Sequence, residues 1–277
     1  GSEMCIRDRV ILILFFIWWF NNYTLKINEK HISSDKVNND VKLAVLSDLH
    51  AYDGIFSIDN KTIVKKIKRI DPDAVCVLGD MHSSNADETE KQISMDLMTG
   101  IIDEGYKLYF VLGEHDDRTN AYVDKMEKNK IHVLDGEAEK ITIGDTDLTF
   151  YGISNAFFSP SFDLTNEFDI DKSTYNILLA HIPMYSDYEK FGADLTLCGD
   201  THGGIIQIPF LGPAYYNGKF VPELYEDKNK IFDKGLFKYD GGYLFITSGI
   251  GNYIGDYNIA ARFNNRPEIA VLTISPE

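Results

Sequence analysis

Five times in this chain an apolar run ends in an acid, a histidine, or both, and that recurrence limits the fold more than any other feature. The first instance is Leu43-Ala44-Val45-Leu46-Ser47-Asp48-Leu49-His50. Four apolar residues in a row read as a strand buried on both faces, followed by a polar tip. If the backbone stays extended, Asp48 and His50 leave on the same face. A carboxylate beside an imidazole can bind zinc, manganese or iron, although the pair alone is a weak signal. The other runs are Ala74–Leu78 before Gly79-Asp80, Tyr106–Leu112 before Gly113-Glu114-His115-Asp116, Tyr175–Ala180 before His181, and Asp194–Cys198 before Gly199-Asp200-Thr201-His202-Gly203-Gly204. Each tip has a plain reading: Gly-Asp is a common turn, and His181 before Ile182-Pro183 is an ordinary strand end. Five in one chain point to a shared metal site.

What lies between the runs sets the class. Ile63, Val64, Ile67 and Ile70 have helical spacing with lysines between them, and Asp71-Pro72-Asp73 stops that helix. A second helix is expected over Asp87–Glu104 and a short one over Ala121–Lys128. Strand, helix, strand, helix, strand predicts parallel strands with helices on their faces, and sites in such sheets gather outside the carboxyl ends of strands. From Ile131 the pattern turns to short strands and turns. A hairpin is expected around Gly144-Asp145, with others around Asn217-Gly218 and Asp240-Gly241-Gly242. There is no repeat and no linker that forces two independent domains.

The net charge of −16 argues against a duplex-DNA or anionic-membrane surface binder, since such partners require clustered Lys and Arg, and no nucleic-acid partner is expected. Cys5, Cys76 and Cys198 are far apart, so neither a disulfide framework nor a zinc knuckle is read from them. Residues 1–9 are left out of the fold reasoning. Val10–Phe20 is an unbroken apolar run, shorter than the roughly 20 residues of a full span, with two tryptophans beside a polar boundary. It is read as an N-terminal membrane anchor; a buried helix or strand is the alternative. The expected organisation is a tail and anchor over 1–22 and a catalytic domain over 23–277. Arg7 and Arg9 would hold the N-terminus in the cytoplasm, which makes this a transmembrane, membrane-localised chain with an extracytoplasmic domain.

The order Asp-x-His, Gly-Asp, Gly-Glu-His-Asp, lone His and Gly-Asp-Thr-His over residues 43–204 resembles the calcineurin-like metallophosphoesterases. The continuation Ile205–Pro213, the Ser248–Gly255 segment and Arg262–Ile269 resemble a bacterial membrane-associated phosphodiesterase branch. The resemblance implies an α/β fold, a four-layered α/β/β/α sandwich of two central mixed sheets. It implies two divalent metals, drawn from Mn, Fe, Zn and Mg. One is assigned to Asp48, His50 and His202, the other to Glu114, His181 and Asp200, with Asp80 bridging. Two such ions clamp a phosphoryl group and acidify a bridging water. His115 is then catalytic beside the phosphate, with Asp116 orienting its ring. The implied activity is that of a hydrolase acting on phosphoester, chiefly phosphodiester, bonds, with a lipid- or envelope-linked substrate.

The chain departs from the family at Glu114, where Asn is usual, and at Asp200, where His is usual. Four carboxylates would neutralise two divalent ions, lowering the attraction for phosphate and favouring harder ions such as manganese or magnesium. Ile205 and Gln207 replace polar or basic residues of the branch. The alternative function is a catalytically weakened binding or scaffold protein that keeps the fold. A nuclease of the same fold suits the acidic composition less well. His82 is expected near the site or exposed, Arg262 and Arg266 are expected to hold C-terminal loops, and Tyr215, Tyr216, Phe157 and Phe158 are groove or packing candidates.

Overall fold

The computed structural model describes residues 6–54, 57–154, 163–224, 230–252 and 259–277. Helix α1 (Ile6–Tyr23) leads into strand β1 (Lys26–Ser34) and β2 (Val41–Leu46). The chain then runs α2 (Asn60–Ile70), β3 (Ala74–Val77), α3 (Glu88–Asp103), β4 (Leu108–Phe110), α4 (Asn120–Lys128) and β5 (His132–Val133). The hairpin β6 (Glu137–Ile143) and β7 (Thr146–Ile153) is followed by α5 (Leu164–Glu167), β8 (Tyr175–Ala180), α6 (Tyr185–Phe191) and β9 (Leu195–Cys198). Two short pairs come next, β10 (Gln207–Ile208) with β11 (Gly212–Pro213) and β12 (Tyr215–Tyr216) with β13 (Lys219–Phe220). The last strands are β14 (Gly235–Tyr239), β15 (Gly242–Ile246) and β16 (Glu268–Pro276).

Two six-stranded mixed sheets result, in the orders β1-β16-β2-β3-β4-β5 and β14-β15-β9-β8-β7-β6. The central strands of each run parallel, because helices connect them on the outer faces. Alternation along β2 divides its side chains between two cores. Leu43 and Val45 face the other sheet with Cys76, Tyr109, Phe150 and Leu179. Ala44 and Leu46 pack under α2 and α3 with Ile63, Ile67 and Met98. A third cluster joins the far face of the second sheet to α6 through Leu178, Tyr188 and Phe191. The architecture is the expected α/β/β/α sandwich.

Local chemistry sets the helix ends. Asp87 accepts from the amides of Thr89 and Glu90, and Glu90 reaches back to the Asp87 amide, a complete capping box. Asp59 caps α2 in the same way, accepting from the Lys61 amide. Strand β1 was hidden in the sequence by its charges. It is an edge strand, in parallel register with β16 from Lys26↔Glu268 to Ser34↔Pro276, and only Ile32 on it is buried. Charged edge strands resist pairing with other chains, which is why such a strand looks like a loop.

The transmembrane expectation finds no support among the described residues. The apolar run Val10–Phe20 is helical, but eleven residues rise only about 16 Å, roughly half of a hydrocarbon core of about 30 Å. No described helix is long and apolar enough to cross a membrane. Helix α1 instead leaves Val10–Phe16 exposed and docks by its last turns on the C-terminal loops: Trp18 Nε1 donates to Ala260 O at 2.8 Å.

The inter-sheet core is one of two large buried clusters. Leu43→Ala removes a fully buried side chain from between the sheets and should lower stability by about 2–5 kcal/mol. Urea denaturation midpoints check this, and an unchanged midpoint contradicts the close packing of the sheets.

Candidate metal centre

The expected ligands meet beyond the carboxyl ends of the central strands of both sheets. Asp48 and His50 follow β2, Asp80 follows β3, Glu114 and His115 follow β4, His181 follows β8, and Asp200 and His202 follow β9. Asp80 sits in the middle. Its Oδ2 lies 3.1 Å from His181 Nε2, 3.7 Å from His50 Nε2 and 3.9 Å from His115 Nε2. Asp48 Oδ1 is 3.6 Å from His202 Nε2. Donors bound to one ion at about 2.0–2.2 Å stand roughly 3–4 Å apart, so these spacings suit shared coordination. Three sets converge closely enough to hold an ion: Asp48, His50 and His202; Asp48, Asp80 and His181; and Asp80, Glu114 and His115. Glu114 and Asp200 form the open side, with side chains 38% and 31% exposed, and both face the centre. Asp200 Oδ1 lies 3.9 Å from His181 Nε2, and Glu114 Oε1 3.6 Å from His115 Nε2.

The convergence does not come from strand alternation. Strand β2 ends at Leu46, before either ligand. Asp48, His50, Asp80, Asp200 and His202 all have left-handed backbones, with φ of 51°, 42°, 52°, 68° and 49°. Such conformations are uncommon outside glycine and persist where the surroundings hold them. Hydrogen bonds do so here. The Asp48 amide donates to Gly79 O and the His50 amide to Asp80 O, each at 3.0 Å. The Asp200 amide donates to the Asp48 carboxylate at 3.1 Å, and the His115 amide to Asp80 Oδ1 at 2.9 Å. Gly79 and Gly113 let the two loops touch: a Cβ on Gly113 would fall on Asp80 Oδ1.

Electrostatics call for a cation. Asp48 and Asp80 are buried, and among the described residues their ion pairs are to histidines alone. Burial pushes the Asp48 carboxyl up to about 7 against the pull of His181, with Asp80 and Asp200 adding to the rise. Burial likewise raises Asp200 to about 6. The His181 imidazole is driven to about 10: burial opposes protonation, and the hydrogen bond and charge of Asp80 overcome it. Leu78 O holds the ring at Nδ1, 2.6 Å away, with Nε2 toward Asp80. An ion between the two would displace the Nε2 proton, and a carbonyl on the other ring nitrogen commonly orients a metal-bound imidazole. Burial lowers His50 to about 3 despite Asp80 and pulls His202 well down, keeping both neutral and able to ligate. Buried carboxylates whose ion pairs, among the described residues, are to histidines from both sheets fit a divalent metal site.

Several contacts were not visible in the sequence. Asp116 was expected to orient His115. Its oxygens accept instead from the amides of Asp80 at 2.7 Å, Met81 at 2.9 Å and Gly113 at 2.8 Å, which clamps the two ligand loops together. The contact on His115 Nδ1 comes from Ser84 Oγ at 2.6 Å, and Ser83 Oγ lies 3.3 Å from His50 Nδ1. No spacing marks Ser84; a hydroxyl near a Gly-Asp turn carries no signature. His82 is buried, its Nε2 accepting from the Asp117 amide at 3.2 Å. Arg262 does hold loops. It donates to Ser248 O at 2.8 Å and Gly251 O at 2.7 Å, beside the Asn265 side chain that donates to His202 O at 2.7 Å. Gln207 is also structural, donating to Gly203 O at 2.7 Å and Asp233 at 2.6 Å. Phe157 and Phe158 lie outside the described residues.

Fold and donor set together define an α/β sandwich protein with a divalent metal site between the ends of its two sheets. Residues 41–204 match the calcineurin-like phosphoesterases, a family of phosphoric ester hydrolases, and the chain belongs to that family. It is 25% identical over 237 residues to an uncharacterized metallophosphoesterase of Campylobacter jejuni, covering 80% of this chain and 61% of that relative's length. It is also 25% identical over 248 residues to the uncharacterized metallophosphoesterase YkuE of Bacillus subtilis, covering 84% of this chain and 78% of that one. A 99-residue stretch is 32% identical to the phosphodiesterase YaeI of Escherichia coli, covering 35% and 32% of the two chains.

The close approach at Gly113 gives a direct test. Gly113→Ala should displace Asp80 and reduce bound metal at least about 10-fold by elemental analysis. Gly100→Ala in α3 meets only Val64 at 3.4 Å and should leave metal content unchanged. Equal metal content in the two variants contradicts Asp80 as a ligand.

Proposed function

We propose that the chain hydrolyses phosphodiester bonds at a pair of divalent ions, on a domain attached to a membrane through α1. The observation that carries this is the position of Asp80, within ion-sharing distance of histidines from both sheets. One ion would be held by Asp48, His50, His202 and Asp80, the other by Asp80, Glu114, His181 and Asp200. When bound, the ions supply charge to a phosphoryl group and an acidified water. The protein's own part is to fix the donors and manage a proton. His115 is half out of the cleft floor, its side chain 20% exposed, with Nε2 toward Asp80 and Glu114. Ser84 fixes the ring through Nδ1, so Nε2 is the atom that can give a proton to a leaving oxygen. The phosphodiester choice is supported by the stretch shared with the Escherichia coli phosphodiesterase.

Glu114 and Asp200 bring the ligand carboxylates to four, with Asp48 and Asp80. Two divalent ions are then fully neutralised, and oxygen donors on the open side favour manganese or magnesium there. Elemental analysis after growth with manganese, zinc and iron checks this; two tightly held zincs overturn it.

With manganese, the chain should turn over bis-p-nitrophenyl phosphate, and Asp80→Asn should lower kcat/KM at least about 100-fold. Ser84→Ala should move the pH profile of kcat more than KM, because it acts through the His115 ring. A wild-type chain with metal bound and no turnover above Asp80→Asn overturns the hydrolase reading and leaves a binding protein of the same fold.

A further inference from the structure

A cavity of about 490 Å³ opens where α1 meets the C-terminal loops. Its walls carry Lys26, Lys234 and Arg266, with Ile17, Phe20 and Phe263 beside them. Three cations around one cavity are unexpected in a chain of net charge −16. Among the described residues one acid, Glu268, shares the wall, 3.9 Å from Lys26 Nζ. Its carboxylate is already engaged by the Ser248 amide at 3.1 Å and by Asn28 Nδ2 at 3.2 Å. The cavity therefore keeps an excess of positive charge and suits an anion.

The apolar side indicates where that anion comes from. Val10–Phe16 of α1 are each 47–60% exposed, a run that water-facing helices do not tolerate without a partner or lipid. Trp18 and Trp19 follow, the residue type that settles at a membrane–water boundary. Immediately beyond them the guanidinium of Arg266 lies over the Phe20 ring, 4.3 Å from its centroid, held by Thr24 at 2.9 Å. Phe210 and Phe263 on the neighbouring loops are exposed as well. From the start of α1 toward the cavity the chain thus presents exposed apolar residues, then the exposed Trp19, then the cations around Phe20. That is the order of polarity through one leaflet of a bilayer, with the cations at headgroup depth.

We infer that this cavity binds the phosphate headgroup of an anionic phospholipid while the first turns of α1 enter the leaflet. The inference rests on the membrane-attachment part of the reading above, and not on its chemistry. It also places the metal centre close to the bilayer. Asn265 accepts from Lys234 Nζ at 2.9 Å on the cavity side and donates to His202 O at 2.7 Å on the other.

The test uses the full chain and vesicles, with no turnover step. Phosphatidylcholine vesicles with and without phosphatidylglycerol are sedimented with the protein. Anionic vesicles should bind more tightly, and added salt should narrow the difference. Lys26→Gln and Lys234→Gln should each weaken anionic binding about fivefold and leave neutral binding unchanged. Lys234→Arg should keep the preference, which separates charge from damage to the fold. Lys172→Gln, an exposed cation before β8 and away from the strand ends, should have no effect. Phe16→Glu should weaken binding to both vesicle types. An anionic preference that survives in Lys26→Gln and Lys234→Gln, or that Lys172→Gln removes equally, overturns the inference. Displacement by free glycerol 3-phosphate at equal phosphate concentration also overturns it, in favour of a soluble ligand. A chain that fails to hydrolyse phosphodiesters but keeps the lipid preference overturns only the hydrolase reading. One that hydrolyses them without the preference overturns only this inference.

Discussion

The structure turns on burying carboxylates whose ion pairs, among the described residues, are to histidines alone. Asp48 and Asp80 lie at the meeting point of two sheets, in a place where desolvation penalises their charge. Burial lifts the Asp48 carboxyl, and at His181 the hydrogen bond and charge of Asp80 outweigh the opposing effect of burial. A divalent ion would remove the conflict, because the same oxygens and nitrogens could ligate it. Metal binding would then be coupled to the stability of the strand ends. The sandwich gives the centre its shape, and the centre gives the polar ends of the sandwich a reason to stay buried.

Holding those groups in place takes backbone strain. Five of the expected ligands adopt left-handed φ values, each a conformation that costs of order 1–3 kcal/mol away from glycine. Adjacent glycines make the loops compact enough for this. Gly79 touches the Gly113 loop, and Gly199 and Gly249 press on Asp48 and its neighbour Ser47. Asp116 then ties two loops together by accepting three amides. A carboxylate buried to accept backbone hydrogen bonds has a different task from one placed to tune a histidine. The difference is invisible in the one-dimensional motif, where both appear as the residue after His115.

Legibility followed the physics of each element. Apolar runs bounded by helices revealed the central strands, because burial on both faces leaves little choice of residue. The helix over Asp87–Glu104 and the turns at Gly144, Asn217 and Asp240 were equally plain, since local pattern decides them. Strand β1 was not, because an edge strand faces water and carries charges. The ligands were found by recurrence, but for a reason only partly right: Asp48 and His50 converge through left-handed turns after the strand, not through alternation along it. Ser84 and Asn265 were missed because they act through contacts 31 and 63 residues away in sequence. No local pattern encodes such pairs.

The least expected feature is how the first helix reaches the metal centre. Asn22, buried at the end of α1, brackets Arg262: it accepts from the Arg262 amide at 2.8 Å and donates to its carbonyl at 3.1 Å. The Arg262 guanidinium fans out over Ser248 O and Gly251 O, in the segment whose amides grip the backbone around Asp48. Ile250 donates to Ser47 O at 3.0 Å and Gly251 to Asp48 O at 2.6 Å. The docking of α1 and the placement of a metal ligand are thus parts of one buried hydrogen-bond network, in which each member satisfies another's polar groups. Pulling the helix away would break both bonds between the Asn22 side chain and the Arg262 backbone and leave that backbone without those partners in the interior. Such an opening is expensive. A surface that fixes the orientation of α1 therefore also favours the closed arrangement of the loops that carry Asp48 and His202.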